Sequence, residues 1–433
     1  MTPIQVGILG VVVLLLLLAA SMPVAFAMGI IGFLGFSIIV SPQAAMSMIA
    51  TDLFDTISSY SLTVIPLFVL MGQVALHAGI SRKLFDAAYH WVGFLPGGMA
   101  IATVGACTGF GAICGSGPAT AATMASVALP EMKRFRYSMQ LATGAVAAGG
   151  GLGMLIPPSV VFICYAIMTE QSIGQLFLAG ILPGILIAVI FSLTIWLQCK
   201  IDPRMGPVAP KTSLKSKLKS LLGVFETVLL FLLVMGGMFA GFFTPTEAAA
   251  IGAGGSLVVA AFRRKLTWRM LAQSLRETAR TSCMVLIIVA GAVMFGHFLA
   301  VTRIPFELAN WLATLPLPGW VIISFIILFF LLAGCFVDAL ALIMLTIPIF
   351  YPVVTGLGFD AIWFGVIIVV VTQMGVISPP VGVNVYVVSG IERDVPLQTV
   401  FKGSLPFLLA LVIAAAILVA FPIISLWLPN LAR

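Results

Sequence analysis

Apolar runs of about 16 residues or more recur along the whole chain, and none shows the strict alternation of a half-buried strand. Each run is long enough, or nearly so, to cross ~30 Å of hydrocarbon as a helix. Without water to satisfy backbone groups, helices are the default. The pattern predicts spans near 4–20, 24–40, 138–168, 175–197, 222–242, 245–262, 281–302, 359–391 and 403–428. Two stretches, 96–130 and 318–352, are too long for one crossing and too short on polar residues for a loop. The segment Val6 to Ala20 lacks a basic flank before it, so it reads as a retained helix and not a cleaved leader.

Glycine and proline punctuate this pattern twice, at one fixed offset. Pro23 matches Pro245, Gly32 matches Gly254, Pro96-Gly97 matches Pro318-Gly319, and Pro130 matches Pro352. Gly153 then matches Gly375, and Pro157-Pro158 matches Pro379-Pro380, still in the same register. One inserted residue brings Pro183 onto Pro406. Chance would supply roughly one proline match over such a span, so the chain is an internal duplication.

Composition agrees with a lipid environment. Hydrophobic residues make up 61% of the 433 and charged residues 8%, against about 25% charged in a soluble domain. The net charge of +7 does not mark a nucleic-acid partner. The basic residues sit in short loops beside the apolar runs, where they fix orientation against the membrane and its lipid. The six cysteines and three histidines show neither CxxC nor HExxH spacing, so packing is their expected role.

Charge also gives the topology. Lys/Arg clusters occur at Arg82-Lys83, Lys133-Arg134, Lys200 to Lys219, Arg263 to Arg280, and Arg393 with Lys402. These mark cytoplasmic loops. Segment 41–59 carries Asp52 and Asp55 but no base, and Met46, Ile49, Leu53 and Ile57 fall at helical spacing, so it should lie along the outer interface. Its partner, 263–280, holds six basic residues and should lie inside. The same element on opposite sides means inverted repeats. Stretch 96–130 has basic flanks at both ends and is expected to be a hairpin entering from the cytoplasm, turning at Gly115-Ser116-Gly117-Pro118. Stretch 318–352 has none and should enter from outside, turning near Val337-Asp338-Ala339. Both termini come out periplasmic. The expected fold is an all-α polytopic membrane protein of two inverted-topology repeats, each with a re-entrant helical hairpin and a Pro-Pro-broken helix.

Hairpin tips and helix breaks expose backbone N–H and C=O groups within the bilayer, which is tolerated only where protein or a wet cavity meets them. Carbonyls and hydroxyls freed there suit a small hard cation such as Na⁺, and half-helix N-termini suit an anionic group. One cation site per repeat is expected. The first uses Ser116, Gly117 and the Gly149–Ile156 stretch, including Gly153 and Ile156. The second uses Asp338 and the Thr372–Ser378 stretch, including Thr372, Gly375 and Ser378. Thr120, Ser159 and Asn384 are the candidate substrate contacts. The plainer readings are a turn for Gly-Ser-Gly-Pro, a kink for Pro-Pro and a hairpin-tip cap for Asp338. A carboxylate in a long apolar stretch is nevertheless costly and usually functional. Glu247 in Thr244-Pro245-Thr246-Glu247 reads as a capping box. His77, His90 and His297 have no partner visible in the sequence.

Four runs resemble the large membrane subunit of the tripartite ATP-independent periplasmic (TRAP) transporters of bacteria and archaea. They are Gly115-Ser116-Gly117-Pro118-Ala119-Thr120, Ile156-Pro157-Pro158-Ser159, Thr244-Pro245-Thr246-Glu247-Ala248 and Ser378-Pro379-Pro380-Val381-Gly382. The resemblance spans essentially the whole chain, and no ATP-binding P-loop is present. It implies a Na⁺-driven importer of organic acids (C4-dicarboxylates, sialic acid, other sugar acids or keto acids) in the bacterial inner membrane. It implies a periplasmic substrate-binding protein that delivers the substrate, a small four-helix membrane subunit expected as a separate polypeptide, and no cofactor besides Na⁺ as coupling ion. It also implies an elevator mechanism. Residues 1–95 would form scaffold helices and the periplasmic-side arm, and 96–197 the first transport half. Residues 198–317 would form a cytoplasmic loop, scaffold helices and the cytoplasmic-side arm, and 318–433 the second transport half.

Two other readings compete. A stand-alone Na⁺-carboxylate symporter would need no binding protein. An intramembrane hydrolase with Ser116 as nucleophile would need a base nearby, and no triad pattern is visible. A channel or an inert scaffold would not call for matched hairpins, paired breaks and Asp338.

Overall fold

A computed structural model describes residues 2–209, 212–314 and 316–432. The first half runs α1 (Pro3–Ala19), α2 (Val24–Ile39), α3 (Pro42–Ser58), α4 (Val64–His77), α5 (Ile80–Val92), α6 (Gly98–Cys114), α7 (Gly117–Arg134), α8 (Met139–Leu155), α9 (Val160–Thr169) and α10 (Ile173–Ile201). The second half runs α11 (Leu214–Phe231), a π-helical segment (Leu232–Gly236), α12 (Gly237–Phe239), α13 (Pro245–Phe262), α14 (Trp268–Thr302), α15 (Ile304–Thr314), α16 (Gly319–Gly334), α17 (Ala339–Gly356), α18 (Ala361–Gly375), α19 (Val383–Ile391), α20 (Leu397–Ala420) and α21 (Ile423–Leu431). The duplication is therefore one of elements as well as residues. Gly117 and Ala339 open α7 and α17, and Met139 and Ala361 open α8 and α18, both pairs in the register that carries Pro23 onto Pro245.

Seven helices, or eight when a bent pair counts as one span, are long and apolar enough to cross a membrane among the described residues. Large apolar side chains such as Ile8, Leu16, Phe26, Ile38 and Leu222 lie on the surface, as lipid-facing helices require. The protein is a multi-pass membrane protein. At its centre sit α8 and α18. Every residue from Leu141 to Leu155, and from Ile362 to Gly375, is buried. They meet at repeat-equivalent positions: a Cβ on Gly151 would lie 3.4 Å from Oε1 of Gln373, its counterpart in the second half. The glycine run 149–151 leaves room for that approach.

Both expected hairpins form. Gly115, at φ +65°, turns α6 back into α7, and Cys335 to Asp338 join α16 to α17. Both expected breaks form as well. Helix α8 stops at Leu155 because Pro157 and Pro158 lack N–H donors, and Ser159 restarts the chain as the N-cap of α9. Helix α18 stops before Pro379-Pro380, and Gly382 at φ +56° leads into α19. Both Pro-Pro bonds are cis.

Four elements differ from expectation. The expected 281–302 span does not start at 281, because α14 is one unbroken helix of 35 residues that takes in most of segment 263–280. Its partner in the first half bends by 55° between α3 and α4. Pro66 explains the difference: in the first turn of α4 it offers no N–H to a preceding turn, whereas Ile288 occupies the matching position. The 403–428 span ends at Ala420, and Pro422 begins the separate helix α21. Helices α5 and α15, not foreseen, fill the gap before each hairpin. The capping box is as expected, with the Thr244 hydroxyl accepting from Glu247 N and the Glu247 carboxylate accepting from Thr244 N at 2.8 Å.

Candidate functional site

Each hairpin tip docks on the helix break of its own half. In the first half, Val160 N donates to Gly115 O at 3.4 Å. A Cβ on Gly115 would lie 2.6 Å from Pro158 O, so only glycine allows the approach. In the second, Val381 N donates to Cys335 O at 3.2 Å, and Ser378 Oγ lies 3.1 Å from Cys335 Sγ.

The residues of the first expected cation site come together. A Cβ on Gly153 would sit 2.8 Å from Ser116 O and 2.5 Å from Thr120 Oγ1, so α8 presses against the start of α7. Thr120 donates its hydroxyl to Ser116 O at 2.7 Å. Gly117 faces Met154, and Ile156 packs over Gly184. In the second expected site, Gly375 lies directly against Gly334, and Thr372 Cα is 3.9 Å from where a Gly334 Cβ would be. Thr372 donates to Val369 O at 2.9 Å and Ser378 to Met374 O at 2.8 Å. The hairpin residues that reach this break are Gly334 and Cys335. Asp338 is turned elsewhere.

Asp338 instead faces a cavity that it shares with the other hairpin. Its carboxylate caps α17, accepting from Leu340 N at 3.1 Å, and it lines a cavity of about 290 Å³ shared with Ser116, Gly117 and Pro118. The N-termini of α7 and α17 therefore open on one space. Ser116 makes no side-chain cap, which leaves the first turn of α7 without a hydroxyl partner. No Lys, Arg or His lines this cavity among the described residues. Its remaining polar side chains are Gln73 of α4 and Thr281 of α14. The Gln73 Oε1 atom is buried without a partner. Sequence reasoning missed both: a glutamine or threonine within an apolar run carries no motif, and only the fold places it opposite the tips.

The three candidate substrate contacts lie off this cavity and are fully buried in the helical framework. Thr120 bonds to Ser116 O as above, and Ser159 donates to Met154 O and accepts from Phe162 N. Asn384 donates from Nδ2 to Ala147 O at 3.0 Å, while its Oδ1 and both amide atoms of Gln373 have no partner. The histidines do have partners. His297 Nδ1 lies 2.9 Å from the buried Asp52 carboxylate, tying α14 to α3, and His77 and His90 bond to carbonyls one turn back, Gln73 O and Asp86 O.

A multi-pass bundle with two tips facing one cavity defines a membrane transporter, and comparison with known proteins gives its family. Residues 11–424 match the family described as tripartite ATP-independent periplasmic transporter, DctM component. The chain belongs to this TRAP large-permease family, and is a transporter subunit and not an enzyme. It is 38% identical over 391 residues (90% of this chain, 91% of the relative) to the C4-dicarboxylate TRAP transporter large permease protein DctM of Pseudomonas aeruginosa. It is 33% identical over 416 residues (96% of each) to the sialic acid TRAP transporter large permease protein SiaM of Vibrio cholerae. In fold it is similar to the YdaH transporter of Alcanivorax borkumensis, with a TM-score of 0.59 at 14% identity over 88% of each chain.

Proposed function

We propose that this subunit carries out Na⁺-driven import of an organic acid across the inner membrane. The observation that carries the reading is the cavity between the hairpin tips, which joins Ser116, Gly117 and Asp338 without any cationic side chain among the described residues. A carboxylate there must draw its counter-charge from helix N-termini and from bound cations. Two helix starts face the space, and Asp338 disfavours an anion unless a cation accompanies it. Substrate entry is thereby coupled to Na⁺. The Ser116 carbonyl, the Thr120 hydroxyl and the backbone at Gly153 form a neutral oxygen-rich corner for one ion. The break around Thr372, Gly375 and Ser378 forms the other. C4-dicarboxylates and sialic acid, named for the relatives, are the substrate classes to try first.

A periplasmic binding protein would deliver the substrate and a small four-helix membrane subunit would pair with this one. The two halves would be inverted repeats, a reading supported by the opposite charge of segments 41–59 and 263–280 and by contact between equivalent positions 151 and 373. Residues 96–197 and 318–433 would move as the transport unit against 1–95 and 198–317, in elevator fashion.

The test is uptake of radiolabelled organic acid into proteoliposomes with the small subunit, under an inward Na⁺ gradient, with and without the cognate binding protein. Uptake is expected only when both are present, and Asp338→Asn and Thr120→Ala should lower it at least tenfold. Na⁺-dependent uptake without a binding protein would instead establish a stand-alone symporter.

A further inference from the structure

A second and larger cavity, of about 790 Å³, lies away from the hairpin tips, between α5, α6, α10 and α11. Helix α5 offers it one face, Leu84, Ala88 and Trp91 at helical spacing, and α10 offers Ala188 and Trp196. The only hydroxyls in its wall among the described residues are Thr108 and Ser192, and each donates to the carbonyl one turn back on its own helix, Val104 O at 2.9 Å and Ala188 O at 2.7 Å. The wall thus presents no free hydroxyl and accepts an apolar occupant. The rim is different. The C-terminal ends of α5 and α10 and the N-terminal end of α11 bring two lysines to it. Lys200 Nζ sits 4.8 Å from the Trp196 ring centroid, and Lys217 Nζ sits 5.6 Å from that of Trp91 and 4.8 Å from that of Phe94. Among the described residues, neither amine forms an ion pair with a carboxylate. Two unpaired ammonium groups, each laid on an aromatic ring that belongs to or borders the cavity, form a cationic rim on an apolar well.

We propose that this cavity holds one anionic diacyl phospholipid, with its acyl chains in the well and its phosphate between Lys200 and Lys217. Aromatic side chains at the headgroup level and basic residues on the cytoplasmic side are the general signature of such a site. A transmembrane helix from a partner would fill the apolar well equally. It would leave both ammonium groups without counter-charge, which a phosphate supplies. On the division proposed above, α6 and α10 belong to the moving part and α5 and α11 to the scaffold, so the lipid would lie along the sliding seam. Lipid binding itself does not depend on that division.

The experiment measures lipid retained by the purified, detergent-exchanged protein after incubation with an equimolar mixture of phosphatidylglycerol and phosphatidylethanolamine. Phosphatidylglycerol is expected to be enriched on the order of tenfold, the preference two lysines at a membrane surface can supply. The double variant Lys200→Gln, Lys217→Gln should bring the ratio close to that of the mixture. Ala188→Trp, which fills the well, should remove retained lipid of both kinds. Each variant is compared as the monodisperse peak on size exclusion, so that misfolding is not read as loss of lipid. A photo-crosslinking residue in place of Leu221, used in native membranes, should yield a lipid adduct. An unchanged ratio in the lysine variant, full retention in Ala188→Trp, or an adduct with a protein subunit would each overturn the proposal.

Discussion

At the scale of single residues, small side chains decide where backbones can meet. A Cβ on Gly403 would collide with Gln140 O, and one on Gly144 with Gly403, so α8 and α20 cross with their backbones in contact. Close approach of this kind is the usual way membrane helices gain packing energy when lipid removes the hydrophobic incentive to associate. Gly403→Ala should therefore destabilise the protein by about 1–3 kcal/mol, the range for forced overpacking. Gly254 is the matched control: it lies in α13, and nothing stands within 4 Å of an added Cβ. Gly254→Ala should be neutral or stabilise by up to about 1 kcal/mol, the helix-propensity difference. The fraction remaining monodisperse in detergent after stepwise heating measures both. Equal loss in the two variants would show that the α8–α20 crossing is looser than its geometry implies.

At the scale of elements, the same segment is built differently in the two halves. Helices α3 and α4 are bent apart at Ser59 to Thr63, whereas α14 runs unbroken for about 52 Å at 1.5 Å per residue, well beyond ~30 Å of hydrocarbon. Its excess length is the basic end, Arg269 to Arg280. The apolar residues Met46, Leu53 and Ile57 of α3 are exposed, as expected of a helix lying on the interface. The proposed inversion makes a direct prediction. Cysteines placed at Met46 and at Arg269, in a background lacking the native cysteines, should react with a membrane-impermeant maleimide from opposite sides. Labelling of both from one side would remove the inverted arrangement.

At the scale of the whole molecule, the proposed elevator motion would require the α4–α6 contact to slide. A Cβ on Gly72 would lie 2.9 Å from the Cα of Cys114 and 3.2 Å from its carbonyl oxygen, so glycine is what lets these two backbones meet. Gly72→Leu should hold α4 off α6 and lower uptake at least tenfold. Full uptake by that variant would mean that the α4–α6 contact takes no part in the transport motion.

Much of this architecture was legible in the chain because its signals are local. Gly and Pro act on their own backbone, so the hairpin turn at Gly115 and the break at Pro157-Pro158 could be read without knowing any neighbour. Duplication doubled each signal. The capping box needed only Thr244 and the glutamate one turn on. The continuity of α14 was missed because its basic end and its apolar span differ in polarity but not in helix-breaking residues. The His297–Asp52 pair was missed because its members stand in different halves of the chain and meet only in the fold. Asp338 stood out as a lone carboxylate, yet the cavity it lines is shared with the tip of the other half and not with the break of its own.

The sequence by itself thus determined the elements, their duplication, their setting in lipid and the family. These depend on periodicity, on backbone-restricting residues and on charge counted along the chain. Tertiary structure alone decided that the two tips share one cavity, that Gln73 and Thr281 complete its polar wall, and that Lys200 and Lys217 edge an apolar well. Such arrangements depend on which helix faces pack together, and no residue carries that information in its immediate neighbours.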